Sequence, residues 1–172
     1  RLQLEILRLL CIKSGKPLNQ REIAKTLGVS PTAVAKGTAQ IEKEDLASVT
    51  RSKTMNLITI ELNRDNEMAL AFKRTENLRM IYETGLAGFL RDSFPGGTII
   101  LFGSYSLGED IITSDIDIAV IGRKPKTLEL EKYEKALDRE ININFYTSWK
   151  DVHKHLKDNI LNGILLYGGV EL

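Results

Sequence analysis

Ten residues separate a glycine–serine pair from an Asp-x-Asp pair, and both pairs border short apolar, β-branched runs. The first run, 98–102 (Thr-Ile-Ile-Leu-Phe), ends at Gly103-Ser104, and the second, through 122, opens on Ser114, Asp115 and Asp117. Both runs read as strands, the first of them buried. Side chains two apart on a strand share a face, so Asp115 and Asp117 converge on one site. Two adjacent carboxylates repel, and a divalent cation compensates them; oxygen donors suit Mg²⁺, with Mn²⁺ an alternative. Gly103 lets a phosphate approach the main chain, and Ser104 is placed to cap a short helix whose first amides favour an anion. The pattern predicts a polyphosphate held beside a cation, the arrangement that nucleotidyl transfer needs.

Gly103, Ser104, Asp115 and Asp117, with Ser114 directly before the acids, resemble the GSX10DXD signature of minimal nucleotidyltransferases in the DNA polymerase beta-like superfamily. The resemblance implies a small mixed sheet flanked by helices. It also implies transfer of a nucleoside monophosphate from a nucleoside triphosphate, expected to be ATP, to an acceptor hydroxyl. Asp115 and Asp117 would be the catalytic acids and metal ligands, with Gly103, Ser104 and Ser114 toward the nucleotide. Some small bacterial and archaeal members adenylylate a HEPN-type toxin, so a protein acceptor of that kind is one implied partner. Active members use a third acid on a later strand. Here the strand-like 139–147 puts Asn142 or Asn144 at that position, and the sequence leaves both registers open. Asparagine keeps an oxygen but has no charge and cannot be a general base. Glu140 shares a strand face with Asn142 and is the remaining candidate for the third position. Two functions therefore stand: a working metal-dependent nucleotidyltransferase, or a DNA-binding regulator whose transferase-like domain senses nucleotide and catalyses little.

The first third of the chain is basic. Residues 1–60 hold 10 Lys/Arg against 5 Asp/Glu, whereas 61–172 hold 14 against 18. A basic module suits a polyanion. Leu2, Ile6, Leu9 and Leu10 fall at helical spacing. Asn19 is positioned to cap a second helix that buries Ile23, Ala24 and Leu27, and Gly28 supplies the tight turn after it. Ser30-Pro31 is an N-cap followed by proline at the first helical position. In the third helix Val34, Thr38 and Ile41 share one face, and Thr32, Lys36, Gln40 and Lys43 share another that is polar and basic, as a helix in the major groove would be. Gly37 within this helix weakens it and leaves less side chain to read bases. Two strand-like runs around 53–56 then predict a hairpin with Arg51 and Lys53 near its tip, within reach of phosphates. Together these residues resemble the winged helix-turn-helix of prokaryotic transcription regulators. The resemblance implies double-stranded DNA as partner and a homodimer reading two half-sites.

The expected fold is α+β, in three stretches: a winged helix-turn-helix over 1–62, a connecting helix and turn over 63–97, and the nucleotidyltransferase domain over 98–172. Thr127 and Ser148 are expected to cap two further helices, running from 127 to 138 and from 148 to 162. Cys11 is the single cysteine, which excludes an internal disulfide and a cysteine-built zinc site. No apolar run reaches the roughly 18 residues of a membrane helix. The expected setting is cytoplasmic.

Overall fold

The computed structural model describes residues 1–52 and 57–171, and its helices and strands fall into two compact units, Arg1–Glu76 and Asn77–Leu172.

In the first unit, α1 (Leu2–Ile12), β1 (Leu18–Asn19), α2 (Gln20–Leu27) and α3 (Pro31–Lys43) precede the hairpin β2 (Ala47–Ser52) and β3 (Leu57–Leu62). The antiparallel sheet runs β1-β3-β2. Asn19 and Glu22 form a capping box, with Asn19 Oδ1 accepting from the Glu22 amide at 2.9 Å and Glu22 Oε2 accepting from the Asn19 amide at 2.7 Å. Gly28 closes α2 in the left-handed region, and Ser30 Oγ accepts from the Ala33 amide to start α3. Ile6, Leu10, Ile23, Val34, Ile41 and Ile60 are buried together in the core. Three helices followed by a hairpin make this unit a winged helix-turn-helix.

Gly37 corrects one expectation. It is buried on the face of α3 that carries Val34, Thr38 and Ile41, not on the exposed face. A Cβ there would lie 2.7 Å from Ile6 Cδ1, so glycine is what lets α1 approach α3. The local loss of helix propensity is offset by close packing, and the exposed face with Thr32, Lys36, Gln40 and Lys43 loses nothing.

The helix α4 (Glu67–Glu83) follows, and the division between units falls within it. The second unit continues with α5 (Leu86–Ser93), β4 (Thr98–Phe102), α6 (Gly103–Leu107), β5 (Ile116–Ile121), α7 (Glu131–Leu137), β6 (Ile141–Tyr146), α8 (Lys154–Leu161) and β7 (Ile164–Tyr167). The sheet order is β6-β5-β4-β7; β4 is antiparallel to β5 and β7, and β5 is parallel to β6. This is the expected small mixed sheet. Its period-two pattern buries both faces. Ile99, Leu101, Ile116, Ile118 and Val120 pack with Leu86 and Leu90 of α5 and Tyr133 and Leu137 of α7. Ile100, Phe102, Ala119 and Ile121 pack with Trp149, Val152 and Ile160.

Two caps differ from expectation. The helix expected from Thr127 starts at Glu131, with Leu130 at the cap position and no side-chain cap bond. The segment before it lays Leu128 and Leu130 against the core instead of coiling. Ser148 caps only a 3-10 turn, Trp149–Asp151, and α8 begins afresh at Lys154. The reason is the capping box itself: Asp151 Oδ2 accepts from the Ser148 amide at 3.0 Å, and the turn closes there.

Candidate functional site

The carboxylates stand on the sheet face that carries Ala119 and Ile121. Asp115 directly precedes β5, and Asp117 is its second residue. Antiparallel pairing sets Asp117 opposite Phe102, the last residue of β4. The next residue, Gly103, has φ +74°, and a Cβ built on it would lie 2.7 Å from Asp117 Oδ2. Glycine is thus required twice, for its backbone angle and for the space the carboxylate fills. The bend and the acid pack directly against one another.

Asp117 is half-buried and Asp115 exposed. Desolvation, and secondarily the charge of Asp115, pushes the Asp117 carboxyl above its ordinary range. Two acids crowded in this way are a donor set for a hard divalent cation, so the residues present fit a Mg²⁺ or Mn²⁺ ion.

The parallel ladder resolves the two registers left open by the sequence. Asn142 pairs with Asp117, and Asn144 lies two residues further on, opposite Ala119. Asn142 Nδ2 donates to Asp115 Oδ2 at 2.9 Å. Asn142 is therefore the residue set beside the acids. Glu140 precedes β6; its carbonyl accepts from the Ile116 amide at 2.8 Å. It lines a cleft of about 440 Å³ with Ser114, Asp115, Glu134 and Asp138. Among the described residues no three His, Cys, Asp or Glu side chains come together to hold a metal ion, so Glu140 does not complete a triad of acids.

Ser104 differs from expectation. It lies inside α6, whose cap position is Phe102 and has no side-chain cap bond. Ser114 Oγ accepts from the Ile111 amide at 2.9 Å and closes the turn that leads into the acids.

One network escaped the sequence reading. Asp110 and Arg139 are buried and paired at 3.1 Å, and Asn77 Nδ2 donates both to Asp110 Oδ1 at 2.7 Å and to the Tyr105 carbonyl at 2.9 Å. The network fastens α6 and the loop after it to the turn that leads into β6. Asp110 sits 29 positions from Arg139, a separation over which sequence pattern carries no signal.

In the first unit, Thr32, Lys36, Gln40 and Lys43 are all exposed on one face of α3. Gln40 donates to Glu44 at 2.6 Å. Arg51 is exposed but paired: its guanidinium donates two bonds of 2.9 Å to the Glu42 carboxylate. Those bonds hold the Glu42 carboxyl below its ordinary range. Lys53 lies outside the described residues.

The family model for the nucleotidyltransferase domain matches residues 84–167, taking in β4, β5, β6 and both pairs of the signature. The second unit carries a nucleotidyltransferase domain. No curated protein gives a match to the chain. Among solved structures, a mutant of ZitR from Lactococcus lactis is 22% identical with a TM-score of 0.40, covering 54% of this chain and 60% of its own. The adhesin competence repressor AdcR from Streptococcus pyogenes is 24% identical with a TM-score of 0.41, covering 54% of this chain and 65% of its own. Both comparisons take in less than two thirds of the other protein's length. Beside the nucleotidyltransferase domain, no helix among the described residues is long and apolar enough to cross a membrane.

Proposed function

We propose that the nucleotidyltransferase domain binds a nucleoside triphosphate, with ATP the first candidate, together with a divalent cation, and transfers the nucleoside monophosphate to an acceptor hydroxyl. One observation carries this reading: Asp115 and Asp117 share a sheet face with Gly103 packed against the Asp117 carboxylate. In it, Asp115 and Asp117 hold the cation, the Gly103-Ser104 bend leaves main-chain room for phosphate, and Ser114 shapes the turn that presents the acids. A bound cation would draw charge from the phosphates and lower the barrier to attack on phosphorus. Acceptors to be tried include the hydroxyls of a protein partner such as a HEPN-type toxin.

The winged helix-turn-helix is proposed to bring this site to double-stranded DNA through Thr32, Lys36, Gln40 and Lys43, with Arg51 and Lys53 toward the backbone and a homodimer reading two half-sites. The proposed setting is the cytoplasm.

A second reading is favoured by Asn142. With an amide beside Asp115, the domain holds nucleotide and turns it over slowly, and the chain acts as a nucleotide-sensing DNA-binding regulator. Incubation with α-labelled nucleoside triphosphate, Mg²⁺ and candidate acceptors separates the two. Label transfer abolished by Asp115→Ala supports the transferase. Nucleotide binding without transfer, alongside salt-sensitive DNA binding weakened by Lys36→Ala, supports the regulator.

A further inference from the structure

The group facing Asp115 from β6 is a hydrogen-bond donor. A carboxylate only accepts, so the Asn142 amide must present its NH₂ to Asp115 Oδ2, as the 2.9 Å contact shows. A cation in that gap needs lone pairs; the NH₂ offers none, and turning the Asn142 Oδ1 toward an ion would break the bond to Asp115. On the other side of the acids, Asp117 Oδ2 lies against Gly103, where even a Cβ would meet it at 2.7 Å. Two divalent ions about 3.5–4 Å apart share bridging carboxylates and need further ligands of their own. Here the described residues offer no third acid grouped with Asp115 and Asp117.

We propose that Asn142, set opposite Asp117 in the ladder and donating to Asp115, restricts this site to one divalent cation. The proposal rests on the reading of Asp115 and Asp117 as cation ligands, which both functions above share. Asn142 is a positioning residue: it holds Asp115 and keeps a donor where a second ion would need an acceptor. The site then grips the phosphates of a nucleotide through one ion, and the acceptor hydroxyl has neither an ion nor a base of its own. Slow turnover follows from that, with binding intact. The same geometry says what one substitution does. Asn142→Asp replaces the donor with a carboxylate between Asp115 and Asp117, and completes a donor set for two ions.

The test counts ions in crystals of the full chain grown with Mn²⁺ and a non-hydrolysable α,β-methylene nucleoside triphosphate, using manganese anomalous scattering. The wild type is expected to show one manganese at Asp115 and Asp117, and Asn142→Asp two. Asn142→Ala, which removes the donor without adding a ligand, is expected to keep one. Without nucleotide, Mn²⁺ should raise the melting temperature of Asn142→Asp more than that of the wild type, because the added carboxylate repels its neighbours until an ion binds. Label transfer should rise about a hundredfold in Asn142→Asp, the lower side of what one acid–base group contributes. Asn142 is exposed, so all three proteins are expected to fold. Two ions in the wild type, or one in Asn142→Asp, overturns the proposal. No ion in any of the three overturns instead the reading of the two aspartates as ligands, and the proposal with it.

Discussion

Replacing Gly103 by alanine tests the link between backbone and chemistry most directly. At φ +74° a side chain costs about 1–2 kcal/mol. In a unit spanning only Asn77–Leu172, that corresponds to a fall in melting temperature of about 5–15 °C. The second effect is local. The added Cβ would lie 2.7 Å from Asp117 Oδ2, whereas ordinary contact begins near 3.4 Å, so the carboxylate must retreat by roughly 0.7 Å. Metal–ligand distances tolerate only about 0.2 Å, so cation affinity should drop at least tenfold. Gly122 provides the control. Its φ is +82° with nothing within 4 Å of its Cβ position, so Gly122→Ala carries the same backbone strain and no clash. Calorimetric Mn²⁺ titrations and thermal melts of both variants read the two effects separately. Both variants should melt early, and only Gly103→Ala should lose the cation. If Gly103→Ala binds Mn²⁺ as the wild type does, or Gly122→Ala loses it equally, the packing of bend against acid is not what shapes the site.

Further outcomes are expected. Because the Asp117 carboxyl titrates above its ordinary range, protons compete with the cation, and Mn²⁺ affinity should rise as pH rises through that raised value. The folded pKa exceeds the unfolded one, so the ion-free protein loses stability as pH rises through it; Asp117→Asn should therefore stabilise the ion-free protein at neutral pH while abolishing Mn²⁺ binding, and thermal melts showing a loss would refute this. Asp110→Ala, which strips the buried partner from Arg139, should cost about 3–5 kcal/mol in urea unfolding, and a cost under about 1 kcal/mol would show the pair to be dispensable. Lys36→Ala should weaken DNA binding and lower the salt slope by about one, whereas Glu42→Ala, which releases Arg51, should tighten binding; the gain should vanish in the Glu42→Ala/Arg51→Ala double variant, and unchanged binding in Glu42→Ala would remove Arg51 from the interface.

Local chemistry was legible where a residue acts on its own neighbours. Asn19, Gly28 and Ser30-Pro31 define α2 and the start of α3 because capping spans only three or four residues. The Gly103-Ser104 and Asp115-x-Asp117 pairs marked the candidate site because strand alternation fixes which side chains share a face. Local signals failed at Thr127, where burial of Leu128 and Leu130 outweighs a helix start, and at Gly37, whose role depends on Ile6 of another helix.

The sequence by itself determined that two acids face one way beside a glycine bend, and that a polar, basic helix follows a tight turn. Tertiary structure alone decided that Asn142, not Asn144, meets those acids, that Asp110 pairs with Arg139, and that Arg51 is held by Glu42. The physical reason is range. Caps and strand periodicity act over a few residues, whereas ladder register and ion pairing between distant segments exist only once the chain has closed on itself.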